Sequence, residues 1–590
     1  MNEQYRTHTC GELREEHIGQ RAKLSGWVAT FRNHGGVIFV DLRDHYGITQ
    51  VVLHDESLLK GITRETVICA EGVIVARDAE TYNPKLATGM VELHAETLTA
   101  LGMPPAFLPF EVGNSDGMRE EARLKYRYLD LRGPRMQGNL KFRAQFIKAL
   151  RENMENLGFL EVHTPILTAS SPEGARDYLV PSRKFKGKFY ALPQAPQQFK
   201  QMLMLSGVDR YYQIAPCFRD EDSRNDRLPG EFYQLDFEMS FATQDDVLEI
   251  GEKVITKVFE RFAPEGTTYI SPAPFRRIPY REAMLRYGSD KPDLRNPLLI
   301  EDLTDFFADV EFKPFRGRPV RGIKVNTQQP KSFFEQMLKF AEGIGMQGLG
   351  YITQTPAQVD GTDNAFGLKG PITKFLSQEK TREFRELFNL QDWDTVFFIC
   401  DRPGLCDKLA GQIRMELGRR LELIDETRFE FCYITDMPMF EIDEHTRQPG
   451  FSHNPFSMPQ GGLEALQTQE PLDILAWQYD MVLNGYELSS GAVRNHIPEV
   501  MVKAFETAGY TEEDLKRRFN ALYSAFQHGA PPHAGMAWGI ERLLMILLDE
   551  ESIRDVVAFP LNGSAQDVLM GAPCEVSEAQ LRDVHIKIRN

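Results

Sequence analysis

Over residues 1 to about 108, apolar and polar residues alternate in short runs. Lys23–Ala29, Val37–Arg43, Gly47–Leu53, Val73–Ala76 and Met90–Ala95 each alternate with a period near two, punctuated by Gly35-Gly36 and by Asn and Pro. A period of two puts successive side chains on opposite faces of a strand, so five short strands are predicted. Five strands in about 100 residues suit a small Greek-key barrel such as an OB-fold, whose strand face binds oligonucleotides; another small barrel of the SH3 type is the alternative. Pro104-Pro105 and Pro109 then break the chain. A long helix is predicted from about 138 to 157, ended by Gly158.

The clearest later alternation is Glu231–Ser240. Tyr233, Leu235, Phe237 and Met239 point one way; Gln234, Asp236 and Glu238 point the other. The strand is half-buried, and its polar side faces either water or a ligand cavity. From 286 to 428 the character shifts. Helix-like stretches near 301–309, 331–343, 378–388 and 405–420 alternate with strand-like Val320–Val325, Leu349–Ile352 and Thr395–Ile399. This α+β block is expected to be a domain inserted in its surroundings. Short strands resume after it and end in a helix from Ile540 to about Leu548. The expected fold class is therefore multidomain α+β. Its parts are a barrel (1–108), a linker (109–137), a second domain in two pieces (138–285 and 429–590) and the insertion (286–428).

Composition changes this picture little. With 42% hydrophobic and 26% charged residues the 590-residue chain is ordinary for a globular protein, which excludes disordered, collagenous and coiled-coil classes. No apolar run approaches the roughly 18 residues of a membrane span, and the polar start Met1–Arg6 is no secretory signal. Seven scattered cysteines without a C-x-x-C pair make a disulfide framework or zinc site unexpected, and suggest a reduced, cytoplasmic protein. The net charge of −17 argues against indiscriminate nucleic-acid binding. Within it, residues 119–155 hold ten Lys and Arg against five acids, a local basic island.

Gly343–Gly348 spells G-x-G-x-x-G, but a helix precedes it and a strand follows. A dinucleotide loop needs the reverse order, so these glycines are expected to cap the helix and turn. Three other segments carry chemistry. Cys217–Phe232 holds a loop loaded with Arg and carboxylates between two strands, where Arg can grip phosphate bidentately, Phe232 can stack on a base and acids can share Mg2+. Gly535–Leu548 runs strand, glycine turn and amphipathic helix, with Arg542 in the first helical turn. Gly158–Leu167 runs from a helix end into an expected edge strand bearing Pro165.

Taken in chain order, the Pro165, Arg219 and Arg542 segments resemble motifs 1, 2 and 3 of the class II aminoacyl-tRNA synthetases. The further runs Ser171–Tyr178, Gln194–Gln201 and Asn484–Arg494 resemble the bacterial aspartyl-tRNA synthetases, and the resemblance extends over essentially the whole chain. It implies an N-terminal OB domain that binds the anticodon and an antiparallel catalytic sheet. It also implies ATP and L-aspartate as substrates, Mg2+ as cofactor, tRNA(Asp) as partner and a homodimer meeting near Pro165. By position, Gln197, Lys200, Arg219, Asp236 and Arg494 would hold aspartate, with Lys200 and Arg494 on its side-chain carboxylate and Glu173 and His453 completing the pocket, and Arg219, Glu221 and Arg542 would be catalytic. Arg219, Asp220 and Glu221 would bind ATP at the α-phosphate side. Phe232 and Arg542 would sandwich adenine, beside Gly539, Ile540 and Glu541, with Asp480 and Glu487 on Mg2+ and Glu487 also at the nucleotide. On the barrel, Phe39 would stack on an anticodon base near Arg32, Gln50 and Glu92. His34-Gly35 has the form of family members that charge both tRNA(Asp) and tRNA(Asn), whereas strict ones often carry Leu. Leu228, Asn454 and Glu541 depart from the family's commonest residues. The rival readings are an asparaginyl or lysyl enzyme, against which Lys200 with Arg494 speaks, and a non-catalytic RNA-binding relative.

Overall fold

The computed structural model describes residues 4–170, 175–326, 328–356, 367–443 and 446–589. The chain divides into two units, Met1–Arg143 with Arg554–Glu575, and Ala144–Ile553 with Val576–Asn590.

In the first unit the strands Arg21–His34, Val37–Arg43, Ile48–Leu53, Val67–Ala76 and Val91–Gly102 close into a barrel in the order first, second, third, fifth, fourth. Alternation sorts the side chains. Leu24, Val28, Ile38, Val40, Leu42, Val51, Ile68, Ile74 and Leu93 fill the interior, while Phe39 and Asp41 between them point outward. This is the closed five-stranded barrel that the period of two predicts.

The basic segment that follows is largely neutralised within the unit. Arg127, 1% exposed, donates from Nε to Ala558 O (2.9 Å) and from Nη2 to Arg554 O (2.9 Å) and Val557 O (2.8 Å), while its Nη1 meets Asp130 Oδ2 at 2.6 Å. Arg123 pairs with Asp130 and Asp555, Arg132 with Glu65 and Arg135 with Asp116. Arg123 and Arg127 fasten residues 554–558 to the connector, and Arg suits the task because its fork reaches several acceptors at once.

The second unit is built on an eight-stranded sheet. Its order is Arg276–Pro279, Phe431–Thr435, Gln478–Leu483, Tyr486–Val493, His533–Gly539, Gly230–Ser240, Arg210–Arg219 and Leu160–Glu161. The six central strands are antiparallel and the two edge strands pair parallel. The helix Gln244–Phe262, started by a Thr243–Asp246 capping box, covers one face with its Val247, Leu248, Val254, Ile255, Val258 and Phe259 stripe. Gly251 lets it approach: a Cβ there would lie 2.7 Å from the Tyr433 hydroxyl. The opposite face is left for the site.

Residues near 298–421 carry a separate five-stranded sheet, ordered Ile300–Asp302, Val320–Asn326, Asp394–Cys400, Gly350–Gln354 and Leu368–Lys369. Two apolar cores cover it, one holding Phe397 and Ile399, the other Val396 and Phe398. Two local expectations fail. Residues 301–309 form no helix: Ile300–Asp302 pairs as a strand, and Asp302 Oδ1 accepts from Thr304 N and Oγ1, which turns the chain. Pro165 lies in no strand, because the edge strand ends at Glu161; proline has no N–H to extend the ladder. At 343–348 the glycines follow the helix Lys331–Gly343, with Gly345 at positive φ, and precede the Gly350–Gln354 strand, as expected of a cap and turn.

Candidate active site

The uncovered sheet face carries two polar rows. Asp236 stands opposite Ala537, Ala537 opposite Ser490, and Ser490 opposite Asp480. In the neighbouring row Glu238 is followed by Gly535, Ala492 and Gln478. Small residues in the middle of both rows leave a trough between Asp236 and Asp480 in one and between Glu238 and Gln478 in the other. Gly535 is required there, since a Cβ would come within 2.1 Å of Glu238 Oε2. The strand expected to be half-buried is therefore buried on both sides over Leu235–Met239, and its acids line a cavity rather than bulk water.

Against this face lies the helix Gln197–Leu205, whose buried residues are Gln197, Lys200, Gln201 and Met204. That spacing of 3, 1 and 3 defines one helical face, here mostly polar. It brings Lys200 Nζ to 2.8 Å from Asp236 Oδ2 and 3.4 Å from Glu238 Oε2. From the other side Arg494 donates Nε and Nη2 to the same Glu238 carboxylate at 2.7 and 3.0 Å. Two buried cations thus share one buried acid. Burial pushes both carboxyls up. At Glu238 the facing Arg494 and Lys200 outweigh it and hold the group below its ordinary range, whereas Asp236 stays above. Arg494 commits one edge of its fork to Glu238 and keeps Nη1. Lysine and arginine offer donors only, so the remaining valences of this pair suit an anionic acceptor.

The cavity in front measures about 590 Å³ and is lined by Gln197, Lys200, Arg219, Phe232, Arg494 and Arg542, with Glu221, Asp236, His453, Glu487, Gly539 and Glu541 on the same walls. The Arg219 guanidinium lies over the Phe232 ring, 5.1 Å from its centroid. Glu221 Oε2 accepts from Arg227 Nη1 at 2.7 Å. Arg542, from the first turn of the helix Ile540–Leu547, donates to the Glu487 carbonyl and meets Asp226 Oδ2 at 3.4 Å. Glu541 is buried and accepts from Tyr233 N at 3.0 Å. His453 stands exposed at the rim, against Ser452 Oγ.

Three of the residues singled out by position are not in the wall. Asp220 turns away, half-exposed, toward Arg176 at 3.7 Å. Ile540 is fully buried in the apolar core. Asp480 is buried beside the cavity, its carboxyl pushed well up by burial and by Glu487. Glu173 lies outside the described residues. The site also contains groups not singled out: Glu238, the Gln201–His533 pair, and Lys291, whose Nζ is 3.2 Å from Glu487 Oε2. Glu238 was signalled by sharing a face with Asp236; Lys291 comes from a loop with no such period.

On the barrel, Arg32 stands opposite Phe39 in register and pairs with Asp41 at 3.3 Å. Gln50 Nε2 donates to Glu92 Oε2 at 2.8 Å. The His34 ring meets Phe39 edge-on, with centroids 5.9 Å apart. Phe39 is half-buried on an outer face beside these polar groups and is not part of the barrel core.

Residues 22–101 match the OB-fold nucleic acid binding domain. Residues 119–563 match the family described as tRNA synthetases class II (D, K and N). The chain belongs to the class II tRNA synthetases. This synthetase is 51% identical over 591 residues to a protein of Streptomyces coelicolor named Aspartate--tRNA ligase, with 99% of each chain covered. It is 50% identical over 596 residues to one of Ehrlichia chaffeensis named Aspartate--tRNA(Asp/Asn) ligase, again with 99% of each covered. Among solved structures, asparaginyl-tRNA synthetase from Pyrococcus horikoshii with asparaginyl-adenylate superposes with a TM-score of 0.57 at 20% identity, covering 94% of this chain and 97% of that one. A structure titled putative aspartyl-tRNA synthetase, from Leishmania major, gives 0.56 at 18% identity, covering 93% and 92%. At such identities the superpositions speak to the fold alone. Among the described residues of the synthetase, no helix is long and apolar enough to cross a membrane.

Proposed function

We propose that the chain is an aspartate–tRNA ligase of the cytoplasm. It joins L-aspartate to ATP, releasing pyrophosphate, and passes the aspartyl group from the adenylate to the 3′ end of tRNA(Asp) and of tRNA(Asn). The observation that carries this reading is the buried pair Lys200 and Arg494, converging on Glu238 at one end of a cavity whose other walls hold Arg219, Phe232 and Arg542. Lys200 and Arg494 take the side-chain carboxylate of aspartate. Asparagine would turn an amide NH2 toward donors and leave them unpaired, which is how a polar site rejects an isostere. Arg219 and Glu221 face the α-phosphate, and Phe232 and Arg542 hold adenine between them.

The residues then act by placement and charge. The α-carboxylate of aspartate attacks the α-phosphorus in line, and Arg219 neutralises the charge that builds on the phosphoryl oxygens. No covalent enzyme intermediate is required. Asp480 and Glu487 fit Mg2+, which takes oxygen ligands and usually keeps phosphates in its shell. Asp480 Oδ1 is buried with no hydrogen-bond partner, and Glu487 bears on it electrostatically. Among the described residues no third His, Cys, Asp or Glu joins them. Mg2+ when bound supplies counter-charge to the triphosphate.

A second copy of the chain is the expected partner across the segment around Pro165, where Leu160, Ile166 and Leu167 are each about half exposed. On the barrel, Phe39→Ala is expected to lower kcat/KM for tRNA by 1–3 kcal/mol, about 5- to 150-fold, the range for one stacked base. Aspartate-dependent ATP–pyrophosphate exchange should stay as it is. Steady-state aminoacylation set beside exchange measures both, and an equal loss in the two would remove Phe39 from tRNA recognition.

Charging of both tRNAs is supported by the His34-Gly35 form in the loop before Phe39. Aminoacylation with purified tRNA(Asp) and tRNA(Asn) transcripts tests it, with rates of the same order expected. No aspartylation of either transcript would overturn the enzyme reading. Charging of tRNA(Asp) alone would leave a strict enzyme.

A further inference from the structure

Behind the cavity, three buried side chains form a hydrogen-bonded line that the activation chemistry above does not use. Gln197 and Gln201 are one turn apart on the helix Gln197–Leu205, and Gln197 Nε2 donates to Gln201 Oε1 at 3.1 Å. Gln201 Nε2 in turn lies 3.1 Å from His533 Nε2, and His533 Nδ1 lies 2.8 Å from the Pro531 carbonyl. Gln201 and His533 are completely buried, and Gln197 nearly so.

The donors and acceptors along this line admit one assignment for a neutral ring. A carbonyl only accepts, so Nδ1 carries the proton. Burial holds His533 down to about 4; Glu238 opposes this, while Arg494 and His496 add to it, so the ring is neutral near pH 7. Its bare Nε2 then accepts from Gln201 Nε2. Gln201 must present Oε1 to Gln197, and Gln197 must give Nε2. The acceptor that Gln197 then has for the cavity it lines is its carbonyl oxygen, held in place by the N–H committed to Gln201.

We propose that Gln201 and His533 are positioning residues that fix the Gln197 amide so that its Oε1 accepts from the α-ammonium of the amino-acid substrate. Without the line the amide is free to turn, and its NH2 would face a cation that has only donors. The site would then lose its grip on one substrate group, not on the whole ligand. This inference rests on the reading of the cavity as an aspartate site.

The test compares L-aspartate with succinate, the same diacid without the ammonium. In the full-length protein, Gln201→Leu is expected to raise KM for aspartate in pyrophosphate exchange about 10- to 100-fold, as for one hydrogen bond to a charged group. The KM for ATP and the inhibition constant of succinate should change less than about twofold. Gln201→Glu keeps an acceptor in front of Gln197 Nε2, and the new carboxylate favours a proton on His533 Nε2, which then donates to it, so aspartate KM should return to within about threefold of the original. Equal weakening of aspartate and succinate, or no recovery with Gln201→Glu, would overturn the positioning role. Should Gln201→Leu fail to fold, Gln201→Glu decides by itself: near-original aspartate KM supports the proposal, and a rise above tenfold with succinate unchanged overturns it. An unmodified protein with no aspartate-dependent exchange sinks the reading of the cavity instead.

Discussion

Arg494→Met is expected to cut aspartate-dependent ATP–pyrophosphate exchange at least about a thousandfold in kcat/KM, roughly 4 kcal/mol of transition-state stabilisation. The same change leaves the Glu238 carboxylate, wholly buried, with Lys200 as its one remaining cation. Breaking a buried pair from one side costs about 3–5 kcal/mol, so the thermal midpoint should fall by many degrees. The two losses have different origins and can be separated. Glu238→Gln combined with Arg494→Met removes the stranded charge, and the melting temperature should largely recover. Exchange should not recover, because the donor for the substrate carboxylate is still missing. Activity returning together with stability would show that Arg494 serves the fold alone.

Arg219→Ala should slow adenylate formation about 10²- to 10³-fold in a single turnover, the usual cost of one pre-placed donor at a developing oxyanion. The KM for aspartate should change less than the rate, since Arg219 lies over Phe232 whereas Lys200 and Arg494 converge on Glu238. Arg219→Lys should recover only a small part, because an ammonium can neither lie flat over the ring nor grip two oxygens in one plane. Rapid-quench measurement of adenylate gives the rate. Full activity of the lysine variant would reduce the role of Arg219 to bulk charge.

What was legible in the chain divides by period. Strands announce themselves when one face is apolar, and the five runs before residue 108 do so, which is why all five barrel strands can be anticipated, although Arg21–His34, Val67–Ala76 and Val91–Gly102 run well beyond the predicted ends. The site announced itself more weakly, because its polar residues come from two helices, several sheet strands and the loops between them, which no single spacing connects. Asp236 and Glu238 stood out together by alternation, yet only the fold shows that the second of them joins the two cations. Gln201 and His533 are separated by 332 positions and carry no periodic mark. Their pairing becomes visible only once the helix Gln197–Leu205 lies on the sheet. The misread turn at 301–309 and the missing strand at Pro165 are local failures, where one Asp side chain and one absent N–H overrode the surrounding pattern.

Arg127 is satisfied by carbonyls that the ribosome makes more than 420 residues after it. Until those carbonyls emerge, a guanidinium meant for the interior has Asp130 on one side and water on the other. The N-terminal portion of a nascent chain therefore cannot reach its final form early, however quickly its barrel closes. Fragments ending before residue 554 should be judged as half-built objects, not as miniature versions of the first unit.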